Sequence, residues 1–167
     1  TARIANNYLR NNNVALAGKL INDCKRFTLT TDDPYHPALL KIYLELGDYY
    51  LSLNDETAEA EDILLKASTI LNRSFPANHY LSGILYFLNN RLEYRRGDFE
   101  KALIYCEQSL YYANRYPVLQ HYRIANHIWK VSLFYNYERD DGKCIDYCRM
   151  VIDNRLVSLS GDGYFDY

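Results

Sequence analysis

The side chains best suited to metal binding or covalent chemistry in this 167-residue chain are four cysteines and four histidines. The cysteines are Cys24, Cys106, Cys144 and Cys148; the histidines are His36, His79, His121 and His127. Cys144 and Cys148 stand at i and i+4, a spacing that could form one edge of a metal site. No second Cys or His pair stands beside them at ligand spacing, so neither a metal nor a cofactor is expected. The histidines fall near expected helix starts and connections, where a lone His more often caps a helix or lies on the surface. No Ser-His-Asp set, phosphate loop or paired-carboxylate motif occurs at an informative spacing. Gly161-Asp162-Gly163 has the look of part of a calcium loop, but the ligand spacing and the closing Glu are missing. An enzyme is therefore not expected. The remaining chemistry is recognition. Arg91 and Arg95 lie one helical turn apart beside Phe87 and Tyr94, a grouping suited to a carboxylate flanked by apolar side chains.

Those residues lie in or next to the stretch Arg91 to Leu110, which reads as a helix end, a turn and a second helix. Gly97 can adopt the positive φ that ends a helix without a Cβ clash. Asp98 can accept from the free N–H groups of the next helix. Ala102, Cys106 and Ser109 fall at i, i+4 and i+7, so three small side chains share one face. Such a face admits close approach by another helix. The unit cannot bury its apolar side alone.

The unit recurs. With Ala102 as marker, Cys144 lies 42 residues later and Ala60 lies 42 residues earlier. Ala17 lies 43 residues before Ala60. The spaced trio repeats as Ala17, Ile21, Cys24, then Ala60, Leu64, Ala67, and finally Cys144, Cys148, Val151. Self-similarity at such a period marks an array of supersecondary units.

The motifs resemble the tetratricopeptide repeat (TPR) family. Leu46-Gly47-Asp48-Tyr49-Tyr50 is similar to the family's Leu-Gly-x-x-Tyr first helix. Gly97-Asp98-Phe99-Glu100-Lys101-Ala102 is similar to its turn and second-helix start. The usual period is about 34 residues; the longer step here resembles the extended repeats of kinesin light chain, as does Tyr35-His36-Pro37. Cys144 stands where the family has Ala, and the third and fourth repeats show no Leu-Gly pair. The resemblance implies an all-α fold, an α-solenoid of antiparallel helix pairs wound as a right-handed superhelix. About four repeats are expected within residues 1–153: a partial one over 1–27, then 36–72, 79–114 and 118–153. Residues 154–167 form a tail or the start of a further element.

Family geometry puts first helices on a concave face. Counting from the Ala marker assigns that face Asn6, Leu9 and Arg10 in repeat one. Repeat two, with its first helix placed by Leu46-Gly47, contributes Lys41, Leu44, Asp48, Leu51 and Ser52. Repeat three contributes Ile84, Phe87, Arg91, Tyr94 and Arg95; repeat four contributes Asn126, Trp129, Leu133, Asn136 and Tyr137. The expected peptide site is Phe87, Arg91, Tyr94, Arg95, Asn126, Trp129, Asn136 and Tyr137, with Arg for a carboxylate, Asn for backbone amides and aromatics for side chains. The Lys/Asn/Asn/Lys/Arg set of chaperone-binding TPRs is absent, which disfavours a chaperone tail as ligand.

Composition agrees with a helical binding module. Apolar residues make up 49% of the chain, enough for a core, and seven Gly with four Pro suit long helices and short connections. A net charge of −2 argues against nucleic-acid binding driven by bulk charge. The 18 tyrosines can pack a ring while keeping a hydroxyl wet. The cysteines read as small buried hydrophobes, which favours a reducing, cytoplasmic setting. No apolar run is long enough for a membrane span. The chain opens in mid-helix, so a fragment of a larger protein is expected. The expected function is a protein- or peptide-binding scaffold module. A sensor domain controlling an effector elsewhere, such as a DNA-binding domain, is one alternative. A self-assembly module, dimerising through its terminal repeats, is the other.

Overall fold

The computed structural model describes residues 2–11, 13–53 and 57–160, with side chains described for 4–8, 11, 13, 15–53 and 57–153. Among the described residues the fold is all-helical, with eight α-helices and no strand. They are α1 (Ala2–Arg10), α2 (Val14–Leu29), α3 (Leu40–Tyr50), α4 (Thr57–Ser74), α5 (Leu81–Arg96), α6 (Phe99–Arg115), α7 (Gln120–Leu133) and α8 (Asp141–Ser160). Thr1, Asn12, residues 54–56 and residues 161–167, Gly161-Asp162-Gly163 among them, lie outside the described residues. Within the expected tail, residues 154–160 continue α8.

Local chemistry explains the boundaries. Gly97 ends α5 at φ 79°. Its N–H donates to the Tyr94 carbonyl at 3.1 Å and the Asp98 N–H to the Glu93 carbonyl at 3.0 Å, closing the last turn in a Schellman arrangement. The Asp98 carboxylate then accepts from the Lys101 N–H at 3.2 Å and starts α6. Asn13 caps α2 in the same way, accepting from the Leu16 N–H. Pro37 and Pro117 each open a short 3-10 turn that leads into α3 and α7. A proline at that position loses no needed donor.

Consecutive helices pack as pairs: α1 with α2, α3 with α4, α5 with α6, α7 with α8. Odd-numbered helices also touch one another in order, and α4 and α6 each pack on the helix that follows. The small-residue faces lie at these seams. Ala17, Ala60, Ala67, Ala102, Cys106 and Ser109 are all fully buried. Gly83 has the same role on α5: a Cβ there would fall 2.7 Å from Tyr112 Cβ and 2.8 Å from Leu119 Cδ1. The last pair differs. Cys144, Cys148 and Val151 are only half-buried, because no helix among the described residues packs beyond α8. A further difference is a π-helical turn, Phe134–Glu138, which extends α7 before Arg139 reverses the chain in the left-handed region at φ 49°.

No helix among the described residues is long and apolar enough to cross a membrane. All four cysteines are free thiols.

Candidate functional site

A cavity of about 940 Å³ is walled by the odd-numbered helices. From α1 come Asn6 and Asn7; from α3, Lys41, Leu44, Glu45 and Asp48, with Ser52 just beyond. From α5 come Ile84, Phe87, Leu88 and Arg91, with Tyr80 and Leu81 at its start. Val118, Leu119, His121, Tyr122, Ala125 and Trp129 supply the α7 side. One spacing serves all three longer helices. Lys41, Leu44 and Asp48, then Ile84, Phe87 and Arg91, then Tyr122, Ala125 and Trp129 each stand at i, i+3 and i+7, a single helical face.

The two sides of the cavity differ in chemistry. The α5–α7 side is aromatic. The Phe87 and Tyr122 rings meet edge-on with centroids 5.1 Å apart, and Trp129 packs edge-on against Tyr94 at 4.9 Å. The α1–α3 side is polar. Asn6 is almost wholly buried, and its Nδ2 donates to the backbone carbonyl and to the carboxylate of Glu45, both at 3.0 Å. With Nδ2 so held, its buried Oδ1 faces no donor among the described residues.

The arginines are engaged within the protein. Arg91 donates to the Asp48 carboxylate, to the Leu51 carbonyl at 3.2 Å and to Ser52 Oγ at 3.3 Å. Its guanidinium also stands 5.8 Å from the Phe87 ring centroid. Arg95 donates to the Leu53 carbonyl. The two cations therefore satisfy carbonyls at the C-terminal end of α3, where cations are favoured. Lys41 differs: it is exposed at the rim and has no ion-pair or hydrogen-bond partner among the described residues. It lies close enough to His79 to help burial, the larger cause, hold that imidazole below its usual pKa.

Of the expected site residues, the cavity brings together Phe87, Arg91 and Trp129. Asn126 is fully buried at the α6–α7 seam, where its Nδ2 donates to Ser109 Oγ at 2.7 Å and its backbone carbonyl faces Cys106 Sγ at 3.3 Å. Tyr94 and Asn136 pair elsewhere: Asn136 Nδ2 donates to Tyr94 Oη at 2.6 Å. Tyr137 is exposed and packs on Phe99. The displacement in the fourth repeat has a cause. The lining residues of α3 and α5 repeat at a step of 43, Asp48 to Arg91, but Arg91 to Trp129 is a step of 38. The π-helical turn lengthens the α7 arm, so counting back from Cys144 arrives about one helical turn late. Tyr122 and Ala125 were missed for that reason. Leu9 and Arg10 lie outside the described side chains.

A second polar cluster ties α8 to the rest. His127 Nδ1 and Tyr147 Oη are 2.6 Å apart. Lys130 pairs with Glu107 and lies over the Tyr147 ring, 4.9 Å from its centroid. Burial, with Arg123 and Lys130 nearby, lowers the His127 pKa; burial raises that of Tyr147. Burial also pushes the Cys106 thiol up to about 12, which makes it a packing group rather than a nucleophile.

The chain matches no protein-family model, no curated protein and no solved structure.

Proposed function

We propose that this chain is a TPR-like α-solenoid that binds a protein or peptide segment along the cavity walled by α1, α3, α5 and α7. The observation that carries the reading is the i, i+3, i+7 face that recurs on three successive first helices and opens onto one shared cavity. Its volume falls within the range of ligand-binding clefts, roughly 300–1,000 Å³. The aromatic wall of Phe87, Tyr122 and Trp129 supplies rigid apolar contact area. The α1–α3 wall supplies polar groups to fix a backbone. Arg91 contributes to this site as a wall held by Asp48.

Selection from a phage-displayed random dodecapeptide library tests the reading. Ala125→Arg places a bulky cation in the cavity wall, and its fold is checked by circular dichroism. Enriched peptides should lose binding to this variant. Enriched peptides that bind the folded variant as tightly as the unaltered chain would move the site elsewhere.

A second reading, self-association, has its own observation. α8 leaves Ile145, Met150 and Ile152 exposed beside the half-buried Cys144 and Cys148. Sedimentation at high concentration should then show a dimer that Ile145→Lys dissolves; a monomer at all concentrations would exclude it.

A further inference from the structure

Each seam between helix pairs joins an even-numbered helix to the odd-numbered helix after it. At α6–α7, Cys106 Sγ donates to the Asn126 carbonyl at 3.3 Å and Asn126 Nδ2 donates to Ser109 Oγ at 2.7 Å. At α4–α5, Arg96 pairs with Glu61. At α2–α3, Lys25 stands 4.6 Å from the Tyr50 ring centroid, and a Cβ on Gly18 would lie 3.8 Å from Tyr49 Oη. The two outermost helices each carry one half of such a seam. On α8, Ile145, Cys148 and Ile152 share a face at i, i+3 and i+7; Cys148 is half-buried and both isoleucines are exposed. On α1, Ile4 and Tyr8 are exposed. Each is two residues, about 200° of helical rotation, from Asn6, which bonds Glu45 on α3. Their side of α1 therefore points away from α3.

The two open faces complement each other. Asn6 and Asp48 both line the cavity, which sets α1 and α3 in register at a step of 42. At that step Ile4 and Tyr8 correspond to Leu46 and Tyr50, both buried, and Asn7 corresponds to Tyr49. The recurring trio places Cys144 at the position of Ala17, so Ile145 corresponds to Gly18 and Ile152 to Lys25. Inside the chain a small Gly18 lies beside a large Tyr49; between the two ends the order inverts, with a large Ile145 for a smaller Asn7. Lys25 over Tyr50 becomes Ile152 against Tyr8, apolar on aromatic, which leaves no charge to desolvate. We infer that the α8 face is covered by a second copy of this chain docked head to tail, with Ile145, Cys148 and Ile152 of one copy against Ile4, Asn7 and Tyr8 of the next. The inference rests on the self-association reading and gives it a direction. The contact joins two different faces, so a copy that has used one keeps the other open, and association continues past the dimer.

Sedimentation velocity tests this. The unaltered chain should form dimers, trimers and larger species as its concentration rises. Tyr8→Asp and Ile152→Asp alter exposed side chains of α1 and α8, and circular dichroism checks their helix content. Ile4→Asp and Ile145→Asp replace either one that fails to fold. Each variant alone should sediment as a monomer. Mixed in equal amounts, the two should form one-to-one dimers and nothing larger, because each supplies the face that the other lacks. A dimer that persists in Tyr8→Asp, or association of the unaltered chain that stops at two copies, would overturn the head-to-tail contact and leave self-association standing. A monomer at every concentration would overturn both.

Discussion

Arg91 on α5 holds Asp48 on α3 in an ion pair between two neighbouring odd-numbered helices, with both side chains largely buried. The guanidinium also bonds the Leu51 carbonyl, so it joins the two helices and satisfies the end of one of them. Arg91→Ala takes the guanidinium away from a largely buried carboxylate and from the Leu51 carbonyl. The expected loss of stability is about 1–3 kcal/mol, read by urea unfolding. Arg91→Lys should recover only part of it, because an ammonium lacks the planar fork. The Asp48→Ala/Arg91→Ala double variant should lose less than the two singles combined.

Gly83 and Gly47 differ in what surrounds them, and alanine should separate them. At Gly83 an added Cβ meets Tyr112 Cβ, which moves only with the α6 backbone. At Gly47 it meets Leu64 Cδ2, the far end of a side chain that can rotate. Gly83→Ala should lower stability by about 1–3 kcal/mol through overpacking. Gly47→Ala should cost less, because the Leu64 side chain can rotate away while the helix-propensity gain of about 1 kcal/mol is common to both positions. Thermal melts of the two variants side by side check the order.

Asn90 is fully buried on α5, and neither its Nδ2 nor its Oδ1 has a partner among the described residues. Asn90→Leu removes two unsatisfied groups at similar volume and should raise stability by about 1–3 kcal/mol. Asn126→Leu should do the opposite, because Asn126 Nδ2 is bonded to Ser109 and to the Tyr122 carbonyl. A loss of stability for Asn90→Leu would mean that a bound water satisfies the amide.

The His127–Tyr147 contact makes the attachment of α8 sensitive to acid. Burial, then Arg123 and Lys130 beside it, lower the His127 pKa from 6.5, while Glu107 opposes them. The native state therefore takes up its proton at lower pH than the unfolded chain. Stability from this group is complete above about 6.5 and falls as pH drops through that value toward the native pKa. Melting temperature should decline from pH 7.5 to pH 5.5, and the decline should be smaller in His127→Gln. An equal decline in both would assign the effect to other groups.

Much of this was legible in the sequence, and what was not has identifiable causes. Gly97-Asp98 specified its turn because only local chemistry is involved. The small-residue trios marked the helix seams because close approach demands small side chains. The lining face of α3 and α5 was expected from the geometry of the family that the motifs resemble, and Lys41, Leu44, Asp48, Ile84, Phe87 and Arg91 all line the cavity. The fourth repeat was displaced because nothing in Phe134 to Glu138 announces a π-helical turn. The intramolecular partners of Arg91 and Arg95 were not legible for a different reason. An arginine looks available until the chain brings Asp48 and the carbonyls of Leu51 and Leu53 to it from about 40 residues away.

Trp129 is the only tryptophan of the chain and lines the cavity, which makes it a built-in reporter. The most direct measurement is its emission during titration with a selected peptide, for the unaltered chain and for Ala125→Arg. A ligand seated between α3, α5 and α7 should change Trp129 emission saturably, at the concentrations where binding is seen by an independent label, and the variant should show neither change nor binding. Binding that saturates by the label while Trp129 emission stays constant, and that persists in the folded variant, would contradict the cavity as the binding site.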